Sequence, residues 1–195
     1  AAANGGGAGV LYVADTENHA VRAVDLASGA VRTVAGTGAK GEFSSGGPPR
    51  ATALRSPWAV LALESAVLIA MAGSHQLWVL IDEAALGPFA GNGREALVDG
   101  PRAEASFNQP SDLARIGHHI VVADAEASAI RAVRLTGEPH VFTLVGQGLF
   151  DWGDVDGPSG TARLQHPLGV CTDGQAIFIA DSYNHKVKRL DPATG

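Results

Sequence analysis

Residues 166–191 read HPLGVCTDGQAIFIADSYNHKVKRLD, and this stretch decides the fold because it contains three predicted strands joined by two turns. The apolar run from Pro167 to Thr172 and the β-branched and aromatic run from Ala176 to Ala180 flank the turn dipeptide Asp173-Gly174. After a second turn, the residues from Lys186 to Leu190 mix apolar and basic side chains, as expected of a partly solvated strand. The stretch therefore predicts an antiparallel meander.

Weaker copies of this stretch recur through the chain at a regular interval. A Gly-x-Gly motif begins at Gly36, Gly91 and Gly146, so that successive copies are 55 residues apart. A proline opens a short apolar run in three of the copies, and an alanine-centred turn follows the next run. A period longer than about 20 residues indicates a repeat architecture. We predict four repeats, at about residues 9–38, 56–93, 109–148 and 166–195.

Each repeat divides into four predicted strands, named a to d in chain order. Sheets of this kind, repeated radially, form the blades of a β-propeller, so the predicted fold class is an all-β propeller with four-stranded antiparallel blades. The chain supplies three a, four b, four c and three d strands, which predicts an incomplete ring of about 3.5 blades. In such a ring Val10 to Ala14 would present an unpaired inner edge. Strand a would be innermost, and its candidate channel-facing residues are Asp112, Val60, Leu113 and Val170.

Composition and charge limit the classes of function. The 195 residues are 46% hydrophobic, which suits a packed globular body, and 14 basic against 20 acidic residues give a net charge of −6. A negative average field repels nucleic acid and anionic membranes, so neither is an expected partner. The single cysteine, Cys171, falls in an apolar strand and is predicted to be a buried small hydrophobe without a disulfide.

Targeting signals are not evident in the sequence. Residues 1–8 lack a basic segment and a long apolar core, so they are interpreted as a linker or a cut terminus before a repeat segment at residues 9–195. The most apolar stretch, from Pro57 to Gly73, contains Glu64 and Ser65 and is too short for a membrane helix. The compartment is left open, and no membrane contact is expected.

Two stretches resemble a known family, the NHL-repeat propellers. Leu11 to His19 reads LYVADTENH and Ile177 to His185 reads IFIADSYNH, and both match the family's pattern of an apolar strand, Ala-Asp, a hydroxyl residue and Asn-His. The blocks SPW, IAMAGSHQLW, FAGNGRE, FDWGDVDG and LQHPLGV, which begin at residues 56, 69, 89, 150 and 164, are similar to one subfamily. This resemblance implies an NHL propeller joined to a thioredoxin-like domain within a larger protein.

The turn after strand b provides the candidate site residues, for which a structural role is predicted. A turn aspartate can accept backbone N–H groups that have no ladder partner. The histidines occupy one repeat position and would be distributed over separate blades, whereas zinc ligands must converge on one centre. We therefore expect no metal, no cofactor and no catalytic residue. The predicted structural turn residues are Asp15, Asn18, His19, His75, Asp124, Asp181, Asn184 and His185.

Basic residues on the c strands could form a stripe for RNA, as in some NHL propellers. At the periphery of a blade, however, such residues are expected to be ordinary solvated side chains, and aromatic residues for base stacking are scarce at 6%. The residues concerned are Arg22, Arg131, Lys186, Lys188 and Arg189.

The connections from strand d to the next strand a are long, and two of them share the motif Asp-Gly-Pro, at residues 99–101 and 156–158. The alanine-rich sequence after each proline predicts one short helix, with Phe107 or Leu164 tucked beneath it. A cap over the blade edge is preferred to a substrate lid, because Gly and Pro set geometry without supplying chemistry.

The predicted function is a non-catalytic protein-interaction or scaffold module within a larger thioredoxin-like/NHL protein, with an unidentified protein partner. The alternative is an accessory domain that positions a redox-active thioredoxin-like neighbour, and an RNA-binding NHL propeller is the third reading. An enzyme of propeller type would need inward-facing histidine or carboxylate clusters from strand a, where only Asp112 is near such a position.

Overall fold

A computed structural model describes residues 2–3 and 9–195. In this part of the chain, every regular element except four 3-10 turns is a β-strand. The strands form four antiparallel sheets, numbered first to fourth in chain order, and the predicted a to d strands of each repeat pair in sequence order. This confirms the predicted all-β class with antiparallel sheets.

The described residues up to Phe89 form the first of two compact units, which contains the first sheet and all of the second sheet except Ala90. The first sheet consists of β1 (Ala2–Ala3), β2 (Val10–Asp15), β3 (Ala20–Asp25) and β4 (Val31–Ala35). The second sheet consists of β5 (Pro57–Ala62), β6 (Ala66–Met71), β7 (Gln76–Ile81) and β8 (Ala85–Ala90). A core of buried side chains lies in this unit, and Val21, Leu54, Ile69 and Leu80 are each at most 1% exposed.

Residues 90–195 form the second unit, which contains the other two sheets. The third sheet consists of β9 (Gly100–Pro101), β10 (Pro110–Ile116), β11 (His119–Asp124), β12 (Ala129–Arg134) and β13 (His140–Val145). The fourth sheet consists of β14 (Pro167–Thr172), β15 (Ile177–Asp181) and β16 (Lys186–Leu190). The core of this unit includes Val121, Ile130 and Ile177, which are fully buried.

Each a strand begins with a bulge at its proline. The ladder shifts register directly after Pro57, Pro110 and Pro167. Proline has no N–H to donate to a ladder, so a bulge accommodates it at the start of a strand. The residues before these prolines have positive φ values of 50°, 61° and 44°, and they are Ser56, Gln109 and His166. The same backbone turn therefore directs the chain into strand a in three sheets.

The turn between strands b and c is also shared by the sheets. In three of them it is a single 3-10 turn, at Ala72–Ser74, Ala125–Ala127 and Ser182–Asn184. The residue that ends the turn has a φ between 47° and 54°, and the four positions are His19, His75, Ser128 and His185. Histidine is enriched in this left-handed region relative to branched residues. The repeated histidine position is therefore the end of a turn.

The edge of β2 differs from the prediction. Ala2 and Ala3 pair with Leu11 and Val10, so the prediction of an unpaired edge from Val10 to Ala14 is wrong at its first two residues. A run of two alanines can cover an edge because the ladder needs only backbone N–H and C=O groups.

One prediction about a strand a side chain needs correction. Cys171 is exposed and not buried, because alternation along β14 places it on the opposite face from Val170. Val60, Leu113 and Val170, three of the predicted channel-facing residues, are 9%, 6% and 6% exposed, and Val60 and Val170 belong to the two cores.

The connection after Pro101 forms a hydrogen-bonded turn and not the predicted short helix. The N–H of Ala105 donates to the carbonyl of Pro101 at 2.9 Å, and the chain then forms an antiparallel bridge between Val98 and Ser106. This bridge requires extended backbone, so the chain makes a single hydrogen-bonded turn and does not continue as a helix. Phe107 is fully buried, as predicted. No helical turn in the described residues is long and apolar enough to cross a membrane.

Candidate functional site

A buried aspartate ends strand b in the third and fourth sheets. Asp124 and Asp181 are both fully buried. Asp124 accepts the backbone N–H of Asn108 at 2.6 Å, and Asp181 accepts that of Gln165 at 2.7 Å. These N–H groups lie in the loop before strand a, outside the sheet ladders, where a side-chain acceptor satisfies them. Each aspartate therefore attaches the incoming loop to its sheet.

In the third sheet, a buried arginine on strand c lies against this aspartate. Arg131 Nη1 donates to Asp124 at 3.1 Å and to the carbonyl of Ser106 at 2.9 Å. Arg131 Nη2 donates to Asp99 at 2.8 Å and to the carbonyl of Val98 at 3.0 Å. A guanidinium removed from water needs such acceptors, because a buried charge without partners is strongly destabilising.

A threonine on strand d completes this group. The N–H and the hydroxyl of Thr143 both donate to Asp99, at 3.0 Å and 2.9 Å. Thr143 is also the residue that pairs with Arg131 across the β12–β13 ladder. We call Asp99, Asp124, Arg131 and Thr143 the third-sheet network. It joins strands b, c and d to the connection that precedes them.

The first sheet has a more exposed form of the same arrangement. Arg22 Nε donates to Asp15 at 2.9 Å, and Arg22 Nη1 donates to the hydroxyl of Thr33, its strand partner on β4. The side chains of Arg22 and Asp15 are 31% and 29% exposed. This pair is therefore partly solvated, unlike the pair in the third sheet.

In the fourth sheet a lysine takes the place of the arginine. Lys188 Nζ lies 2.9 Å from Asp154, 3.0 Å from Asp156 and 3.5 Å from Asp181. Lys186 also contacts Asp154, at 2.5 Å. Three carboxylates thus surround one lysine at the edge of β16.

Burial shifts the pKa of Asp124, and hydrogen bonds shift the pKa of Asp15. Desolvation raises the pKa of Asp124 to about 6, although the charge of Arg131 and the N–H of Asn108 act in the opposite direction. At the more exposed site, hydrogen bonds from Asn18 and Arg22 lower the pKa of Asp15. The pKa values of two aspartates at the same repeat position are therefore shifted in opposite directions, because their surroundings differ.

The prediction that the c-strand cations are ordinary solvated residues is wrong for two of them. The side chain of Arg131 is fully buried, and that of Lys188 is 11% exposed. The sequence contained a signal, because a turn aspartate is followed after seven residues by a cation at Asp124 and Arg131. Arg131 pairs with Val122, two residues before Asp124, so the two side chains share one face of the sheet. The same spacing occurs at Asp15 and Arg22 and at Asp181 and Lys188.

The predicted turn residues lie in the b-to-c turns, where their polar groups serve the backbone and the aspartates. His19 Nδ1 accepts the N–H of Ser56 at 3.1 Å, and Ser128 Oγ accepts the N–H of His166 at 3.3 Å at the same repeat position. Asn18 donates to its turn aspartate at 2.9 Å. Among residues 2–3 and 9–195, no three His, Cys, Asp or Glu side chains are grouped as a metal site would require.

Asp112, the one predicted channel residue with a titratable side chain, connects two sheets of the second unit. Its carboxylate accepts the N–H of Leu113 at 2.9 Å and the N–H of Val170 at 2.9 Å. Ser111, the preceding residue, donates to the carbonyl of Pro167 at 3.3 Å. These bonds hold β10 beside β14.

Exposed aromatic residues form the feature of the second unit that sequence reasoning missed. Phe150, Trp152 and Tyr183 are 93%, 55% and 58% exposed. Asn184 donates to the carbonyl of Gly153 at 2.7 Å, which brings the loop that carries Trp152 beside the turn that carries Tyr183. We call Phe150, Trp152, His166 and Tyr183 the aromatic patch.

The centre of the aromatic patch is ordered by specific contacts. The ring of Tyr183 stacks on that of His166, with centroids 4.3 Å apart and planes inclined by 16°. His166 Nε2 lies 3.3 Å from a carboxylate oxygen of Glu126. These contacts fix the two rings in one orientation.

The aromatic patch is not encoded by the repeat. The counterpart of Tyr183 in the third sheet is Glu126, and the counterpart of Trp152 in the preceding connection is Glu95. Repeated residues serve the fold of every sheet, so departures from the repeat are the better candidates for function. The aromatic residues within FDWGDVDG were a signal that repeat alignment alone did not weigh.

Comparisons with known proteins identify relatives for most of the chain. No family model matches the chain. SUPPRESSOR OF QUENCHING 1, chloroplastic, from Arabidopsis thaliana is 41% identical over 199 residues, which cover 95% of this chain and 19% of that protein. NHL repeat-containing protein 2 from Homo sapiens is 39% identical over 218 residues, which cover 95% of this chain and 30% of that protein. The chain thus spans less than a third of the length of these relatives.

Solved structures show the same fold at low sequence identity. A structural genomics protein of unknown function from Bacteroides thetaiotaomicron has a TM-score of 0.76 at 19% identity, over 93% of this chain and 44% of that one. A streptogramin B lyase structure has a TM-score of 0.59 at 8% identity, over 95% of this chain and 49% of that one. At these identities the likeness concerns the fold alone.

The antiparallel four-strand repeat and these structural neighbours define a protein of the β-propeller class. Within that class, the chain is similar over 95% of its length to parts of two proteins, one of them named for NHL repeats, which confirms the predicted resemblance to the NHL-repeat propellers.

Proposed function

We propose that this chain is a non-catalytic protein-interaction module of a larger NHL-repeat protein and that the aromatic patch is its docking site. The observation that carries the proposal is the exposure of Phe150, Trp152 and Tyr183, together with the bond from Asn184 to Gly153 that brings the loop of Trp152 beside the turn of Tyr183. Tyrosine and tryptophan are enriched among the residues that contribute most to binding between proteins. Large exposed apolar side chains that lie together mark interaction sites more often than chance.

The loop that carries the patch is held in place before any partner binds. Arg163 Nε donates to Asp151 at 2.7 Å, and the N–H of Gly153 donates to the carbonyl of Leu164 at 3.0 Å. Asp154 is bound by Lys188 on β16. A surface that is already ordered loses less conformational entropy on binding, which favours affinity.

The charged residues of the second unit support a structural role for the network in preference to a catalytic one. Asp124 and Arg131 are fully buried and bonded to each other and to the backbone. A group that acts on a substrate must be within reach of it. In this arrangement the charged atoms are used to hold loops and strands together.

The proposed module is one part of a propeller ring. The chain covers 44% and 49% of the two propeller structures described above, which supports an arc of repeats completed by further sequence. The chain also covers only 19% and 30% of the two curated relatives. The relatives therefore have room for further domains, which the alternative reading requires, since in it the module positions a thioredoxin-like neighbour in the same protein.

Photo-crosslinking from the patch tests the proposal in the full-length protein. A benzophenone amino acid at position 152 is compared with the same residue at position 26, because Leu26 is also exposed, at 57%, but lies outside the patch. We expect the residue at position 152 to form a crosslink to one defined partner protein. The residue at position 26 should form no crosslink to that protein. A crosslink within the same chain would favour the alternative reading.

Binding by the captured partner then provides the quantitative test. With the purified partner, Trp152→Ala should weaken binding by about tenfold or more, as truncation of a central aromatic residue does. Leu26→Ala should leave the affinity unchanged. Equal crosslinking at both positions, or unchanged affinity of Trp152→Ala, contradicts the proposal.

A further inference from the structure

A group of basic side chains lies at one end of the third sheet, in the second unit. His119 at the start of β11 pairs with Arg134 at the end of β12. Val133 pairs with Val141, so the preceding residue of β13, His140, lies opposite Arg134 on its other side. Residues opposite each other on neighbouring strands share one face of a sheet. We call His119, Arg134 and His140 the basic row.

The basic row is ordered and can be reached from solvent. Arg134 is exposed, and the two histidines are half-buried. The ring of His119 meets that of Phe142 edge-on, with centroids 5.6 Å apart and planes inclined by 89°. His118, in the turn before β11, is exposed beside the row. The row therefore presents several N–H donors that a ligand can reach.

The basic row has no counter-charge in the described part of the chain, where no ion pair involves any of its three residues. By contrast, Arg22, Arg131 and Lys188, which also lie on c strands, each contact a carboxylate. Glu138, in the turn between β12 and β13, is exposed. Like charges opposite each other on a ladder destabilise a sheet. A protonated histidine beside Arg134 is therefore favoured by an anion that lies over both.

The charges around His119 agree with this conclusion. Burial lowers the pKa of His119, and the positive charges of Arg134 and His118 lower it further. Both charged groups that act on this ring are therefore positive. An anion over the row would act in the opposite direction and favour the protonated ring.

The basic row departs from the repeat. The first and fourth sheets have Asp25 and Asp191 at the position of Arg134. Asp25 accepts the N–H groups of Ala27 and Ser28, so the repeated aspartate serves the turn that follows. Positions where a chain breaks its own local rules are expected to be functional or strained. The counterparts of the two histidines in the other sheets are all apolar: Val10, Ala66 and Ala176 for His119, and Ala30 and Ala85 for His140.

We propose that the basic row binds an acidic peptide segment of a partner protein, with one carboxylate over Arg134 and the next carboxylate at a neighbouring histidine. Arginine offers two parallel N–H groups to a carboxylate, and a histidine ring has an N–H to donate in either charge state. Three neighbouring strands make the row about 10 Å wide. An extended peptide places every second side chain on one face, about 7 Å apart, so aspartate or glutamate at alternate positions fits this width.

A peptide fits the charge of the chain better than a nucleic acid does. The net charge of −6 repels a long polyanion, whereas a short acidic segment brings few charges to the row. The row also lies apart from the aromatic patch. His119 begins β11, and the b-to-c turn follows the other end of that strand, after Asp124. The proposed acidic segment therefore does not depend on docking at the aromatic patch.

Fluorescence anisotropy of labelled peptides tests the proposal in the full-length protein. The probe has the sequence GEGEGEGEG, and the control peptide GQGQGQGQG has glutamine in place of glutamate. The glutamate peptide should bind, and the glutamine peptide should bind much more weakly. Arg134→Asp should weaken binding of the glutamate peptide by about fivefold or more, because it removes an exposed ion pair and reverses the charge. The first and fourth sheets have aspartate at this position, so the variant is compatible with the fold.

Matched variants separate the row from the total charge. Arg94→Asp changes the net charge equally, and Arg94 is exposed but lies outside the row, so the affinity should stay unchanged. Trp152→Ala should also leave it unchanged, which keeps this test independent of the aromatic patch. Arg134→Gln, which removes the charge without reversing it, should weaken binding less than Arg134→Asp.

The titration of His119 locates the bound peptide. In protein with isotope-labelled histidines, NMR should show a higher pKa for His119 with saturating glutamate peptide than with glutamine peptide. An unchanged pKa of His119 overturns the proposal, as does equal binding of the two peptides or an equal loss in Arg134→Asp and Arg94→Asp. A single-stranded oligonucleotide that binds more tightly than the peptide and depends on Arg134 also overturns it, because the row would then serve nucleic acid.

Discussion

The second and third sheets fill one set of repeat positions in opposite ways. In the third sheet the positions hold charged and polar residues, and in the second they hold apolar residues or glycine. The four pairs, second sheet first, are Gly46 and Asp99, Met71 and Asp124, Trp78 and Arg131, and Pro88 and Thr143. All four positions change together between the two sheets.

The contacts of the apolar set explain how it replaces the polar one. Met71 and Trp78 are 1% and 3% exposed and belong to the core of the first unit. Met71 Sδ lies 3.3 Å from the N–H of Arg55. In the third sheet, a carboxylate oxygen lies at the equivalent position. A Cβ on Gly46 would lie 2.2 Å from the carbonyl oxygen of Leu86, so the backbone itself occupies the place of the missing side chain.

The joint replacement of all four residues indicates that the third-sheet network is one structural unit. Replacing a complete buried ion pair by apolar residues is often nearly neutral, whereas removal of one partner leaves an uncompensated buried charge. The residue at position 143 also depends on the residue at position 99, because the N–H of Thr143 donates to Asp99. A proline at position 143 would have no N–H to donate. A change at one position therefore favours changes at the others.

Arg131→Met should have the largest effect on the stability of the chain. It leaves Asp124 fully buried without its cation, and we expect a loss of about 3–5 kcal/mol in the free energy of unfolding. Urea-induced unfolding of the chain near neutral pH measures this loss. A loss below about 1 kcal/mol would show that Asp124 does not depend on the arginine.

The pH dependence of stability gives the next largest effect. The pKa of Asp124 is about 6 in the folded chain and near the ordinary 3.8 when unfolded, so between these values the folded state holds a proton that the unfolded state has released. The contribution of this group to stability is therefore present below pH 4, falls as pH rises toward 6, and is constant above. The change is on the order of 3 kcal/mol.

Asp124→Asn provides the control for that pH dependence. Unfolding free energies measured from pH 4 to 7.5 should fall with pH more steeply in the natural chain than in Asp124→Asn. Asp15→Asn should leave the slope between pH 4 and 7.5 almost unchanged, because the lowered pKa of Asp15 gives a contribution that is lost only as pH falls below the ordinary value of 3.8. Parallel curves for the natural chain and Asp124→Asn would contradict the assignment.

Arg22→Met should have the smallest effect of the three changes. Arg22 and Asp15 are partly exposed, and water can solvate the remaining carboxylate. The loss of stability should be clearly smaller than that of Arg131→Met under the same conditions. Equal losses in the two variants would mean that burial does not determine the cost.

The sequence predicted the strands well because proline, the Gly-x-Gly motif and the turn aspartates are local signals that recur. It did not predict the burial of Arg131, since that depends on β13 and the Asp-Gly-Pro connection closing over β12 from distant parts of the chain. It placed Cys171 in a strand correctly, but the direction of the side chain follows from the register with β15. The aromatic patch was missed because it departs from the repeat.

If the network residues can be exchanged only together, a double-mutant cycle on Asp124→Met and Arg131→Trp should show strong coupling between the two positions. These are the residues that the second sheet has at the two positions. We predict that the double variant is more stable than either single variant, with a coupling free energy of at least about 2 kcal/mol. Additive losses, with a coupling below about 0.5 kcal/mol, would contradict the account.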